Sequence, residues 1–312
     1  MKAVLPATAR ALLEPRLPAD LDVAWFAKPD EARAMIVDAD IAWVDMQPTH
    51  LVAEAIRAAG PRLKWVSTIY AGLDAFPLDT LRASNVTLTN GAGINAVAVA
   101  EYAVMGILVA AKRLDTVIRA QDRHDWLKDA PGKIVLEDTS ALVIGYGTIG
   151  RMIGDRLAAF GVAVTGVTRT GRDGTITPDD WRGRLGEFDW VILAAPSTGA
   201  TQAMIGSDEL ARMKTSAWLI NIARGDMVED DALVAALNDG TIAGAVLDPT
   251  SPEPLPTDHP LWSAPNAIIT MHLSGRSQTT MFARGAALFL DNLQAFMAGT
   301  PMKNVADLAQ GY

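Results

Sequence analysis

Three side chains of complementary chemistry follow three successive apolar runs. Arg224 ends the stretch Asn221-Ile-Ala-Arg224, Glu253 lies in Pro252-Glu253-Pro254 after the run that ends at Leu247-Asp248, and His272 ends Ile269-Thr-Met-His272. A guanidinium presents forked donors that hold a carboxylate through two parallel bonds. An imidazole can release a proton near neutral pH, and a carboxylate beside it stabilises the protonated ring. The set could grip an anionic substrate and protonate it. The residue types alone leave other readings open: Arg224 could pair with Asp226 or Asp248, Glu253 could be a solvated loop charge, and a lone histidine could be a satisfied core residue. Position supplies the stronger argument. In an open α/β sheet, ligands bind beyond the carboxyl ends of the strands, and the runs 217–223, 244–248 and 267–271 all lead there. Of the four histidines, His50 opens a helix, His124 lies in a charged run and His259 in a proline loop. Only His272 directly follows a run that reads as a buried strand.

The elements that must position these residues alternate apolar runs with helical patterns, the signature of parallel sheets with crossover helices. The first series of strands is expected at 2–5, 22–26, 41–45, 63–69 and 86–89, with a helix such as 51–59 between them. An alanine-rich helix at 96–111 precedes a second series at 140–145, 162–168, 190–194 and the three runs above. A last periodic segment, about 279–297, is too long to be a tail and is expected to return to the first domain.

Gly145-Tyr-Gly147-Thr148-Ile149-Gly150 directly follows the apolar run 141–144 and opens a helix, the context in which a G-x-G-x-x-G pattern carries meaning. The first glycine permits the tight turn, the second lets backbone approach a pyrophosphate, and the third lets helix and strand pack closely. The next strand of such a unit normally ends in an acid that binds the ribose hydroxyls; here it ends Thr168-Arg169-Thr170-Gly-Arg172. An acid would repel a 2′-phosphate and arginine would accommodate it, so NADP(H) is favoured over NAD(H), which stays possible. The alternative is a pair of solvated surface arginines. The expected architecture is α/β, two doubly wound parallel-sheet domains. A Rossmann cofactor domain, 96–275, is inserted in a flavodoxin-like substrate domain made of 1–95 and 276–312.

Composition narrows the class. With 312 residues, 50% apolar and 20% charged, the chain reads as globular and large enough for two cores. A net charge of -9 and the lack of a basic stripe argue against nucleic acid. The absence of cysteine excludes disulfides and thiolate metal sites and suits a reducing compartment. No metal is expected. The segment 96–111, whose one charge is Glu101, is shorter than a bilayer span requires. The opening residues lack the apolar stretch of a signal peptide, so the expected location is the cytoplasm.

Together these motifs resemble the D-isomer-specific 2-hydroxyacid dehydrogenase family over nearly the whole chain. Besides the glycine turn, the likeness rests on Ala71-Gly72-Leu73-Asp74, Gly93-Ile-Asn95, Ala98-Val-Ala-Glu101, Ala195-Pro196-Ser-Thr198, 221–225, Leu247-Asp248, Glu253-Pro-Leu-Pro256, His272-Leu-Ser-Gly275 and Gly299-Thr-Pro-Met-Lys-Asn304. The resemblance implies a catalytic set of Arg224, Glu253 and His272. Arg224 would hold the substrate carboxylate and polarise its carbonyl, His272 would protonate the carbonyl oxygen, and Glu253 would orient and charge the histidine. It also implies that amides of Ala71, Gly72 and Leu73 bind the carboxylate. Asp248 would contact the nicotinamide amide, Pro196 and Thr201 would line the cofactor, and a homodimer would be built largely on the 95–111 helix and its surroundings. Two departures are visible: Pro249-Thr250 stands where the family usually has valine and an aromatic, and Met271 where it commonly has proline. The expectation is an NADPH-preferring reductase of a small 2-oxoacid such as glyoxylate or hydroxypyruvate. Longer or aromatic 2-oxoacids, or a nucleotide-sensing binding protein, are the alternatives.

Overall fold

The computed structural model describes residues 1–46, 48, 50–73, 75–276 and 280–309. Asp74 of the first-domain motif and the expected helix start at Thr279 lie outside the described residues. The chain divides into two compact units, Met1–Asn95 with Ser277–Tyr312, and Ala96–Arg276.

The first unit carries five strands: β1 (Lys2–Pro6), β2 (Asp22–Phe26), β3 (Ile41–Trp43), β4 (Trp65–Ser67) and β5 (Thr87–Thr89). They pair in parallel in the order β2-β1-β3-β4-β5, the flavodoxin-like arrangement. Both faces are covered, which is why the strands read as continuous apolar runs. Val4, Ala42, Val66 and Leu88 point into one core, and Ala3, Leu5, Ile41, Trp43 and Trp65 into the other. The helix Met281–Ala298 packs against that second face. Its Phe289 stacks on Trp65 at 5.0 Å between ring centroids and meets Trp43 at 5.5 Å. Buried Asn292 then holds the closing segment through both its amide atoms, accepting from the Lys303 amide at 2.7 Å and donating to the Lys303 carbonyl at 3.0 Å.

The second unit carries β6 (Ser140–Ile144), β7 (Ala163–Val167), β8 (Trp190–Leu193), β9 (Trp218–Asn221), β10 (Gly244–Leu247) and β11 (Ala267–Ile269). The order is β11-β10-β9-β8-β6-β7, all parallel. A single bridge from Val167 to Ile176 extends the sheet beyond β7. The order reverses between β6 and β8, the point at which doubly wound sheets open a crevice. Leu142, Ile144, Val191, Leu193 and Leu219 face one core; Val143, Ile192, Ile220 and Val246 face the other.

Two expectations need correction. The helix Ala96–Lys112 is apolar chiefly because it serves its own unit: Val99, Ala100, Ala103, Val104 and Ile107 are buried in the second core. Its surface alone therefore does not call for a partner. The run 267–271 is not a buried strand either. β11 lies at the sheet edge, half-buried throughout, and ends at Ile269, because Met271 and His272 turn into left-handed backbone. Among the described residues no helix is long and apolar enough to cross a membrane.

Replacing Phe289 by alanine should destabilise the first unit by about 3–5 kcal/mol, the usual cost of deleting a fully buried aromatic ring. Urea denaturation checks this, and a loss below about 1 kcal/mol would show that the returning helix adds little to the core.

Candidate active site

The glycine turn is built to face an anion. Gly145 has φ +97°, and a side chain there would strike the Ala195 backbone. The amides of Gly145 and Tyr146 both donate to the Val167 carbonyl, closing the turn onto β7. Gly147 has no atom within 4 Å of where a Cβ would stand, so the backbone there lies open to a ligand. The helix Thr148–Ala158 starts at this point with no side-chain cap. The amides of Thr148, Ile149 and Gly150 precede its first internal bond, from the Arg151 amide to the Gly147 carbonyl, and make no bond to another described residue. Uncapped amides at a helix start, next to a backbone stripped of side chains, suit a pyrophosphate.

Beyond β7 the chain forms a loop tied to itself. The Thr168 hydroxyl accepts from the Gly171 amide and shares a 2.6 Å hydrogen bond with the Thr175 hydroxyl, which leaves Thr168 a loop-shaping residue. Thr170, Arg169 and Arg172 are exposed. Neither guanidinium makes a hydrogen bond or ion pair with a described residue, so both charges are available to a ligand.

At the carboxyl end of β9, buried Asn221 shapes the loop that presents Arg224. Its oxygen accepts from the Ala223 amide at 3.0 Å and its amide donates to the Arg224 carbonyl at 2.8 Å. Arg224 is half-buried. The next residue, Gly225, would place a Cβ 2.1 Å from the Thr250 carbonyl carbon. Only glycine lets the Arg224 loop lie against the loop after β10. The residue at 250 in turn holds Glu253, whose Oε1 accepts from the Thr250 amide at 3.1 Å. Glu253 meets the His272 ring: Nδ1 lies 2.8 Å from Oε2 and 3.1 Å from Oε1. Glu253 and His272 are partly exposed, with side chains 39% and 43% accessible, so the pair is open to a substrate and to water.

The His272 turn hangs on Asp248, which is buried. Its Oδ1 accepts from the Thr270 hydroxyl at 2.7 Å and from the Leu273 amide at 2.9 Å, and both of its oxygens lie near the Ser274 amide. Its carbonyl accepts from the His272 amide at 2.7 Å. Asp248 thus ties down the turn that carries His272, chiefly through Oδ1. The backbone angles are φ 55° at Met271 and φ 53° at His272. Proline is locked near −65° and cannot occupy the first of these, so the change to Met271 goes with a different turn.

Asp226, a conceivable partner of Arg224 from sequence, is engaged elsewhere. It accepts from the Ser197 hydroxyl at 2.8 Å, and its carbonyl accepts from the Ala203 amide. These bonds tie the Arg224 loop to the loop after β8. There Thr201 donates to the Pro196 carbonyl at 2.8 Å and accepts from the Thr198 amide at 2.8 Å. In the first unit, Ala71 is exposed and Leu73 is buried in the core. The amides of Ala71, Gly72 and Leu73 make no bond to another described residue. Only the backbone of that segment can therefore serve a ligand. Asn221, Gly225, Ser197, Asp226 and Thr270 escaped sequence reasoning as positioning residues. A polar residue closing an apolar run, as Asn221 does, was the one available signal.

The family model for the D-isomer specific 2-hydroxyacid dehydrogenase NAD binding domain matches residues 104–274. The chain belongs to that family. It is 34% identical over 269 residues to the human glyoxylate reductase/hydroxypyruvate reductase, covering 81% of this chain and 80% of that one. Among solved structures, it is similar to a D-isomer specific 2-hydroxyacid dehydrogenase family protein of Aeromonas salmonicida, with a TM-score of 0.88, 27% identity and coverage of 98% and 99%. It is also similar to an NADPH-dependent glyoxylate/hydroxypyruvate reductase of Sinorhizobium meliloti, with a TM-score of 0.82, 26% identity and 98% coverage of both chains. The protein is accordingly an oxidoreductase of CH–OH groups, a 2-hydroxyacid dehydrogenase with a Rossmann NAD-binding domain, and the open glycine turn fits its nicotinamide dinucleotide. Among the described residues no cluster of His, Asp or Glu could hold a metal.

In this dehydrogenase Gly225→Ala should push the Thr250 backbone and misplace Glu253. Misplacement by about 1 Å can cost a hundredfold in rate, so kcat/KM should fall about 100-fold while cofactor affinity, read by fluorescence titration, changes less than about threefold. Near-normal kcat/KM in the variant would uncouple the two loops.

Proposed function

We propose that the enzyme reduces a small 2-oxoacid of the glyoxylate or hydroxypyruvate type to the D-2-hydroxyacid, with NADPH preferred over NADH. The observation that carries this reading is the 2.8 Å Glu253–His272 pair, set on the same sheet edge as Arg224. With Nδ1 directed to Glu253, Nε2 is the ring atom left for substrate, and His272 donates its proton there to the carbonyl oxygen. Glu253 acts through the imidazole, fixing its orientation. Arg224 grips the carboxylate with its fork and draws electron density from the carbonyl. In the first unit, the free amides at Ala71, Gly72 and Leu73 are the backbone donors suited to a carboxylate.

When bound, the reduced nicotinamide supplies the hydride. The chain's part is to hold the dinucleotide: Gly145, Gly147 and the amides of Thr148, Ile149 and Gly150 face the pyrophosphate, Pro196 and Thr201 shape the loop beside it, and Asp248 acts through the His272 turn. Arg169 and Arg172, in the loop that Thr168 and Thr170 share with them, meet the 2′-phosphate. Two observations support NADPH: the unpaired arginines after β7, and the similarity to an enzyme named as NADPH-dependent. The small substrate class follows the names of the relatives. The lack of cysteine suits a reducing compartment, and we place the enzyme in the cytoplasm.

The reading is tested with a panel of 2-oxoacids against both cofactors, in wild type and Arg169→Ala. Wild type should turn over glyoxylate or hydroxypyruvate with higher kcat/KM for NADPH. Losing a charge-assisted bond of roughly 1.5–3 kcal/mol, the variant should lose about 10- to 100-fold with NADPH and little with NADH. A wild type that prefers NADH refutes the cofactor assignment.

A homodimer accompanies this reading. Its support is the outward apolar surface that follows the helix Ala96–Lys112: Leu114, Val117, Ile118, Leu127 and Val135 are exposed, and Trp126 is 94% so. Such a surface is commonly covered by a second copy. Ile118→Asp should convert the dimer to a 33.2 kDa monomer in sedimentation; a wild type that sediments only as monomer at micromolar concentration contradicts it.

A further inference from the structure

The first unit holds a half-buried acid, one oxygen of which is sealed from solvent, that the reaction does not use. Asp45 follows β3, at the carboxyl edge of the sheet. Its Oδ2 accepts from the Ile69 amide at 2.8 Å and from the Trp43 indole at 2.8 Å. Its Oδ1 is sealed from solvent and has no hydrogen-bond partner among the described residues. An ionised carboxylate would leave that oxygen as an uncompensated charge; a protonated carboxyl would not. Ile69 begins the segment that ends in the free amides of Ala71, Gly72 and Leu73. The rest of the segment is pinned from behind: the Tyr70 amide bonds to the Thr68 hydroxyl, the Tyr70 carbonyl to the Gly91 amide, and the Ala71 carbonyl to the Asn90 side chain. Asp45 therefore fixes the Ile69 amide, two residues before the amide cradle.

We propose that Asp45 is a positioning residue that sets the anion affinity of the 71–73 cradle, its neutral form admitting a substrate carboxylate and its ionised form opposing it. The proposal rests on the reading that this cradle binds the carboxylate. Asp45 lies 2.8 Å from the Ile69 amide, two chain links of about 3.8 Å separate Ile69 from Ala71, and a hydrogen bond spans about 3 Å, so a negative charge on Asp45 acts on a carboxylate at the Ala71 amide from within about 13 Å. At that range, in partly shielded surroundings, like charges repel by roughly a tenfold in affinity. The protonation change falls in a useful range. Burial pushes the Asp45 carboxyl up to about 6, against the Thr68 hydroxyl, the Ile69 amide and the Trp43 indole, which favour the ionised form. These are the groups that face it, and no ionised side chain among the described residues contributes to the shift. For an acid raised in the folded state, the native protein binds the extra proton. Stability is therefore highest below about 4, the ordinary aspartate value, and declines as pH rises through about 6.

The test uses oxamate, a non-reducible carboxylate analogue of a 2-oxoacid, bound to NADPH-loaded protein and followed by calorimetry at pH 5 to 8 in wild type and Asp45→Asn. Asparagine keeps an oxygen for the Ile69 amide and the indole but cannot ionise. The ratio of the wild-type oxamate Kd to that of the variant should be near one at pH 5 and rise to roughly ten at pH 8; effects of groups common to both proteins cancel in the ratio. A ratio flat across this range overturns the proposal and leaves Asp45 merely structural. If the variant does not fold, wild type alone decides: weakening of oxamate with pH should exceed that of uncharged ethyl oxamate, and equal slopes overturn the proposal. A rising ratio in an enzyme that turns over no 2-oxoacid would support the Asp45 role while refuting the proposed reaction, so the two failures are distinguishable.

Discussion

One buried carboxylate holds the three functional loops in register. The Asp248 amide donates to the Asn221 carbonyl at 2.9 Å, its carbonyl accepts from the His272 amide, and its side chain gathers Thr270, Leu273 and Ser274. Asn221 in turn shapes the Arg224 loop, and the residues just after Asp248 lead to Glu253. The bonds are needed because the turn is strained. Two consecutive non-glycine residues, Met271 and His272, sit in left-handed backbone, at roughly 1–3 kcal/mol each. Hydrogen bonds to a charged group contribute about 1.5–3 kcal/mol each, so the cluster around Asp248 is of the right size to offset the strain.

The second constraint is steric. Arg224 and Glu253 come from loops after neighbouring strands, and what brings those loops together is the missing side chain of Gly225 against Thr250. The contact works in one direction along the chain: glycine admits Thr250, the Thr250 amide orients Glu253, and Glu253 orients His272. The Ser197–Asp226 bond extends the same network to the loop after β8. The reactive groups are thus few, and the small polar residues and one glycine behind them determine where they stand.

The architecture was legible because burial on both faces of a parallel sheet writes continuous apolar runs into the sequence, and crossover helices write the pattern between them. Arg224, Glu253 and His272 were legible as one set because each follows such a run. What could not be read was anything dependent on long-range register. Nothing local marks Asp248 as the anchor of residues some twenty-five positions later, or Gly225 as the neighbour of Thr250. The edge position of β11 and the left-handed pair after it were missed because five apolar or β-branched residues suggest a longer, buried strand. The apolar helix Ala96–Lys112 was read as surface needing a partner, since an apolar helix packed in its own domain has the same composition. Asp45 left no trace at all: it is one acid among 36 acidic residues, distinguished only by its sealed and unpartnered Oδ1.

The net charge sharpens the reading of the ligand sites. The chain carries -9 overall, yet the proposed substrate and cofactor are both anions. Beyond about 8–10 Å, surface charges are largely screened at physiological salt, so the global repulsion is weak and the local arrangement decides. That arrangement is built mainly from groups that do not titrate: free backbone amides at the helix start by Gly147 and at Ala71 to Leu73, and the guanidinium groups of Arg169, Arg172 and Arg224. His272 is the exception its task demands, because a proton donor must be able to lose its proton. Asp45 is a titratable group set close to an anion cradle, and its charge opposes the ligand. An acid in that place either weakens binding at every pH or is neutral when the site is filled. Burial, with one oxygen left unpartnered, favours the second.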